Sequence, residues 1–236
     1  MARVARTSPI TNRLLDRLPA KDRARLLARC ERVVLCFPKV LAEPGQPIRH
    51  VYFPNGTLIS LLTRMGGRAS LQVAITGNEG IFGAGVALGV GFSAAHAVVQ
   101  VSGSAWRIGA AAFRSELARS PALRKGVYRY VYVLMSQLAQ TAACVCFHVV
   151  EQRLARWLLT IADRTQAPTF RITHQFLAST LGVRREMISK AASALQRRKL
   201  IAYTRGAVAI LDREGLERAS CTCYQAELAA YRRIFG

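Results

Sequence analysis

Acidic side chains are scarce in this chain: 13 Asp and Glu stand against 34 Lys and Arg in 236 residues, a formal charge of +21. Such a balance points away from cationic partners and toward an anionic one, either nucleic acid or a membrane surface. The surplus is not focused, however. Residues 1–150 carry 19 basic and 6 acidic groups, and residues 151–236 carry 15 and 7. Arginine outnumbers lysine 29 to 5 and alanine is abundant, a bias that a GC-rich genome produces by itself, so total charge does not name the partner.

Histidine is also sparse. The four, at 50, 96, 148 and 174, are scattered, with no H-x-H and later glutamate of the kind a cupin-like metal enzyme needs. No Ser/His/Asp set or glycine-rich phosphate loop takes their place, so an enzyme is not expected. The six cysteines form no C-x2-C pair, which removes zinc-ribbon and thioredoxin-type readings. Cys144 and Cys146 are two apart on an expected helix and cannot share a face; Cys144 and His148 can, but two ligands do not make a metal site. The expectation is therefore no metal, no cofactor and idle thiols. No secretory h-region lies near the start, which fits a reducing, cytoplasmic setting.

Long uninterrupted apolar runs are missing too. Gly80–Trp106 and Tyr130–Val150 are free of formal charge, but the first contains five glycines before residue 92, then Ser93, His96 and Gln100. The second holds Ser136, Gln137, Gln140, Thr141 and His148, and neither reads as a membrane span. With 51% hydrophobic residues, the chain can still build a sizeable core.

From about Val33 to Arg107, short β-rich runs alternate with PG, PNG, MGG and TGN turns, the pattern of an antiparallel roll or barrel. A helix precedes them near Lys21–Cys30. Beyond Ala110 the period becomes helical. Ser120 can cap a helix beginning at Pro121. Val127, Val131, Leu134, Leu138, Thr141 and Val145 then follow at 4-3-4-3-4 spacing, a heptad seam suited to a twin helix in a parallel homodimer. "VEQRLARWLLTIADR" continues as another helix, "TQAPTF" reads as a loop, and the remainder as a compact C-terminal unit.

The stretch "ITHQFLASTLGVRREMISKAASALQRR" is the most informative. Thr173 caps one helix, Gly182 permits a tight turn, and a second helix starts near Arg184 or Arg185. Ala178 is small where the helices cross, and Ile188 faces the core six residues after the glycine. On a wheel, Ile188, Ala192 and Leu195 share one face, while Arg185, Glu186, Ser189, Lys190, Ser193, Gln196 and Arg197 share the other. A helix of this kind fits the major groove, where arginine can bind guanine and glutamate can accept from cytosine. Glu186 is the sharpest hint, because a carboxylate among phosphates is unfavourable unless it meets a base donor. "LIAYTRGAVAILD" then reads as a two-stranded wing turning at Arg205-Gly206, with Arg205 beside a phosphate.

These residues, with the roll and long helix before them, resemble the Crp/Fnr family of bacterial transcription regulators over nearly the full chain. The resemblance implies an α+β fold: a jelly-roll-like antiparallel β roll (1–117), a dimerisation helix (118–148) and a winged helix-turn-helix (149–236). Arg185, Glu186, Ser189 and Lys190 would read bases of double-stranded DNA in a palindromic site. Lys190 stands where the family has arginine, and so lacks the bidentate fork. Thr173, Arg184, Ser193, Arg197 and Arg205 would hold the backbone, and RNA polymerase is a further candidate partner. In the roll, "GNEGIFG" and "SAAHAVVQ" replace the family's cyclic-nucleotide stretches, placing Ala95 where a phosphate-binding arginine belongs. Cyclic AMP is therefore not expected, and Asn78, Glu79, Gly80 and His96 are left as candidates for a pocket binding an unknown effector. Clustered N-terminal cysteines for an iron–sulfur centre are missing. An architectural protein binding DNA by charge alone remains the competing reading; it would ignore sequence and weaken steeply with salt.

Overall fold

The structure is a computed structural model that describes residues 12–64, 70–165, 169–204 and 206–236. Two short helices, α1 (Arg13–Asp16) and α2 (Ala20–Leu27), lead into seven strands. These are β1 (Glu31–Leu35), β2 (Val40–Ala42), β3 (His50–Asn55), β4 (Leu58–Arg64), β5 (Ser70–Thr76), β6 (His96–Val101) and β7 (Gly103–Gly109). They form two antiparallel sheets, ordered β1-β7-β3 and β2-β6-β4-β5, which is the roll that the turn spacing implies. The expected MGG turn lies outside the described residues. Leu35, Tyr52, Ile59, Phe82, Ala97, Val99 and Ala105 fill the space between the sheets.

Helix α3 (Ala110–Arg119) is followed by α4 (Pro121–Phe147). The cap between them is as the sequence suggests: the Ser120 hydroxyl accepts from the Leu123 N–H at 3.1 Å, with proline in the first turn. Helix α4 is long and apolar enough to cross a membrane by length and composition. Its inner stripe of Leu123, Val127, Tyr130 and Val133 packs on the roll and α3. Tyr130 is fully buried, donates to Thr76 Oγ1 at 3.0 Å, and presses on Gly80, where an added Cβ would overlap the ring.

That inner stripe corrects the expected seam. Val127 lies in the chain's own core, Val131 and Leu134 pack against it, and Thr141 is half-buried. Only Leu138 and Val145 of the six are exposed. The free apolar face lies roughly 70° further round the helix, at ~100° per residue, and carries Tyr128, Tyr132, Met135, Leu138 and Val145. A helix apolar on two sides offers more than one heptad reading, and spacing does not say which stripe the roll takes.

Helix α5 (Val150–Thr165), β8 (Thr169–Arg171), α6 (His174–Leu181), α7 (Arg185–Arg197), β9 (Ile201–Thr204), β10 (Ala207–Ile210) and α8 (Arg213–Ala219) form the C-terminal unit. The segment read as a loop contributes β8, whose pairing with β10 gives a three-stranded wing ordered β8-β10-β9. The last helix, α9 (Cys223–Phe235), departs from the expected compact unit. It runs back along α4, buries Phe235 in the core of the roll and α4, and accepts two bonds from Arg17 at the Phe235 carbonyl, at 2.6 and 3.1 Å.

Roll and C-terminal unit share a packed boundary. Leu58 and Ile75 of the roll join the core of α5, α6 and α7. A buried ion-pair chain crosses the same boundary: Glu79 meets Arg164 at 3.2 Å, Arg164 meets Glu227, and Glu227 meets Arg156 at 3.1 Å. Removing one member of such a chain leaves a desolvated charge uncompensated, which costs about 3–5 kcal/mol. Glu227→Ala is expected to lower unfolding stability by that order in a denaturant titration; a loss under ~1 kcal/mol would show the chain to be slack.

Candidate nucleic-acid interface

Thr173 caps α6 by accepting from the Phe176 N–H at 3.2 Å, and Gly182 closes it at φ +64°. The expected α7 core contacts Ile188, Ala192 and Leu195 are buried, together with Ala191, against Leu177, Ala178 and Leu181 of α6. The opposite face is open. Arg185, Glu186, Lys190, Ser193 and Arg197 are exposed along it, and Arg184 and Thr173, at the caps of α7 and α6, are exposed as well. No side chain caps the start of α7, and Arg184 sits at that position. The positive end of the helix dipole suits an anion at this point. A cleft of about 1040 Å³ adjoins this end, lined by Gln175, Arg184, Arg185, Glu186 and Met187, with Ser70 of the roll as its other wall.

Ser189 stands differently from its neighbours. Half-buried, it lies 3.0 Å from His174 Nδ1 and its hydroxyl donates to the Arg185 carbonyl at 3.3 Å. Its place is structural as well as facial. His174, to which sequence reasoning assigns no role, is the bolt between elements: its ring lies 4.4 Å from that of Tyr203 in the wing. Tyr203 in turn donates to the Ile172 carbonyl. The only sequence signal for His174 is position, one residue after the Thr173 cap. Arg205 lies outside the described residues.

The four effector-pocket candidates do not come together. Asn78 accepts from the Gly56 N–H at 2.7 Å, Glu79 is taken by Arg164, and Gly80 gives room to Tyr130. His96 belongs to another set, 2.8 Å from Glu43 with Arg64 at 3.2 Å. Asn78 and Glu79 do line a cleft of about 60 Å³ with Arg164, Tyr224 and Tyr231. That is room for about two waters, far below a nucleotide. Local motifs do not show these partners: Glu79 and Gly80 meet residues of α5 and α4, and His96 meets Glu43 and Arg64 from elsewhere in the roll.

Residues 152–219 match the Crp-like helix-turn-helix domain family. Solved structures share the fold over most of both chains. FixK2 from Bradyrhizobium japonicum superposes with a TM-score of 0.67 at 12% identity, covering 82% of this chain and 98% of that one. The c-di-GMP-responsive global regulator CLP from Xanthomonas campestris gives 0.65 at 18% identity, covering 81% and 99%. A CRP/FNR-family transcriptional regulator from Thermus thermophilus gives 0.64 at 19% identity, covering 80% and 98%. No curated protein matches the chain by sequence.

Burial, and next the Arg185 charge, lower the pKa of His174 below its ordinary value. Unfolding would restore an ordinary imidazole near 6.5. Between those two values the unfolded chain holds the extra proton, so His174 contributes stability that is complete above about pH 6.5 and is lost as pH falls toward its folded value. A stability profile between about pH 5 and 8 is expected to flatten in His174→Gln; an unchanged slope would place the titration elsewhere, on His50 for example.

Proposed function

From a chain with the fold of the Crp/Fnr transcription regulators and a Crp-like helix-turn-helix domain, we propose a sequence-specific DNA-binding regulator acting as a cytoplasmic homodimer on a palindromic site. The observation that carries this reading is the exposed α7 face, with Arg185, Glu186 and Lys190 together on a helix whose other side is core. Arg184, Arg197 and Ser193 flank them for phosphate contact. Glu186 separates this reading from charge-only binding, since a carboxylate weakens non-specific attraction to phosphates but can accept from a base.

The dimer rests on the outer face of α4. Tyr132 and Met135 are about 60% exposed and lie in register with Tyr128 and Leu138. An apolar stripe of that length on a 27-residue helix suits a second copy of itself. Two copies would set two α7 helices against successive major grooves, about one helical turn apart.

A cyclic nucleotide is not part of the proposal. The roll interior is filled by Tyr52, Ile59, Phe82 and Val99, and Glu43 and Arg64 hold His96. An effector of other chemistry stays within this reading, since a cleft of about 330 Å³ opens on the roll beside His50, Tyr52 and Phe82, and contact with RNA polymerase is a role the fold allows without selecting a surface.

Selection from a random duplex pool at physiological salt should enrich inverted repeats without added ligand. In Glu186→Ala the preference at one position per half-site should relax by ~1–3 kcal/mol; an unaltered motif would remove Glu186 from base reading. Tyr132→Glu with Met135→Glu should convert the dimer to monomer in sedimentation and abolish the two-half-site footprint. Persistence of the dimer would move the interface off this face.

A further inference from the structure

Four side chains unused by DNA recognition converge where α4 ends. Cys144 lies in its last turn and His148 is its C-terminal cap; Cys221 and Cys223 bracket Thr222 in the turn between α8 and α9. The four potential ligand atoms all lie within 4.8 Å of one another. Cys144 Sγ is 3.6 Å from Cys221 Sγ, and Cys223 Sγ is 3.4 Å from His148 Nδ1. Tetrahedral zinc, with Zn–S ~2.3 Å and Zn–N ~2.0 Å, requires S···S edges of about 3.8 Å and S···N edges of about 3.5 Å. The observed separations sit close to both, and far from the ~2.05 Å of a disulfide.

The surroundings also suit sulfur ligands. The three thiols are 1–3% exposed and form a cluster of their own, apart from the aliphatic cores. Gln140 Nε2 donates to Cys223 Sγ at 2.9 Å, the kind of outer bond that orients a ligating sulfur. Arg156 lies against Cys144 while paired with Glu227. Three thiolates, a neutral imidazole and a divalent ion leave one negative charge, which a neighbouring guanidinium offsets.

The geometry points to a mononuclear site for a thiophilic divalent cation, zinc above all, held by Cys144, His148, Cys221 and Cys223. Four protein ligands close the coordination shell, so the ion's role is structural, not catalytic. It would fasten the end of α4, at the entry to the C-terminal unit, to the turn from which α9 begins. Sequence spacing alone supplies only the Cys144–His148 half. The other half lies 77 residues from Cys144 and has C-x-C in place of the usual C-x2-C.

The test uses full-length protein purified under reducing conditions. Elemental analysis is expected to find about one zinc per chain. After chelation, Co²⁺ titration should give thiolate-to-cobalt charge-transfer bands and tetrahedral ligand-field bands that saturate at one equivalent. Cys144→Ser and Cys221→Ser should lose the bound metal, and Cys30→Ser, Cys36→Ser and Cys146→Ser should keep it. The wild-type cobalt spectrum needs no variant, so it stands even if a serine variant fails to fold. Absence of both zinc and the cobalt bands, or metal retained equally in Cys221→Ser, overturns the site. So does a Cys144–Cys221 disulfide in the freshly purified protein.

Discussion

Arg164 is a guanidinium with almost no access to water, held by two carboxylates far apart in sequence. Glu79 comes from the turn after β5 and Glu227 from α9, while Arg164 itself belongs to α5 and also donates to the Ile75 carbonyl. Burying that charge without these partners would cost several kcal/mol. The roll, the C-terminal unit and the last helix must therefore occupy one relative arrangement for Arg164 to be satisfied. Arg156 extends the constraint from Glu227 toward the cysteine cluster, so one buried chain of charge links the roll, α5, α9 and the cysteines.

A second, neutral chain runs beside it. Gln100 and Ser60, inside the roll, are bonded to each other; Gln72 reaches Ser60 at 3.2 Å, and Trp157 on α5 donates to Gln72 at 2.7 Å. At the front of the unit, the Ser70 hydroxyl donates to the Ser179 carbonyl at 3.2 Å, and Phe37 meets Phe176 edge-on at 5.7 Å. The first helix of the DNA-binding pair thus rests on the roll. Reorienting it means breaking a set of contacts with the roll itself.

The helix-turn-helix is legible because its determinants are local. A cap, a glycine in the left-handed region and an apolar stripe at helical spacing all act within a short stretch, and Thr173, Gly182 and Ile188 stand where those rules put them. The roll is legible as a class from turn chemistry at PG, PNG and TGN. What escapes such reading is everything decided by a partner distant in sequence. Val127 goes to the core because the roll claims that side of α4, and Glu79 becomes an ion-pair member because Arg164 arrives from α5. The cysteines look idle until α9 is seen to lie beside α4. Strand β8 escapes because three residues give no period to read.

The return of α9 to the roll has a consequence for how the chain is made. Phe235 completes a core begun by Leu14 and Leu15, and the Phe235 carbonyl accepts from Arg17, 218 positions earlier. During synthesis from the N-terminus, the roll and α4 emerge long before that contact can form. Until then, the apolar surface that α9 will cover stays open to water and to other nascent chains. The core around Leu14 and Leu15 is therefore complete only once Phe235 is in place. Contacts of such sequence separation slow folding.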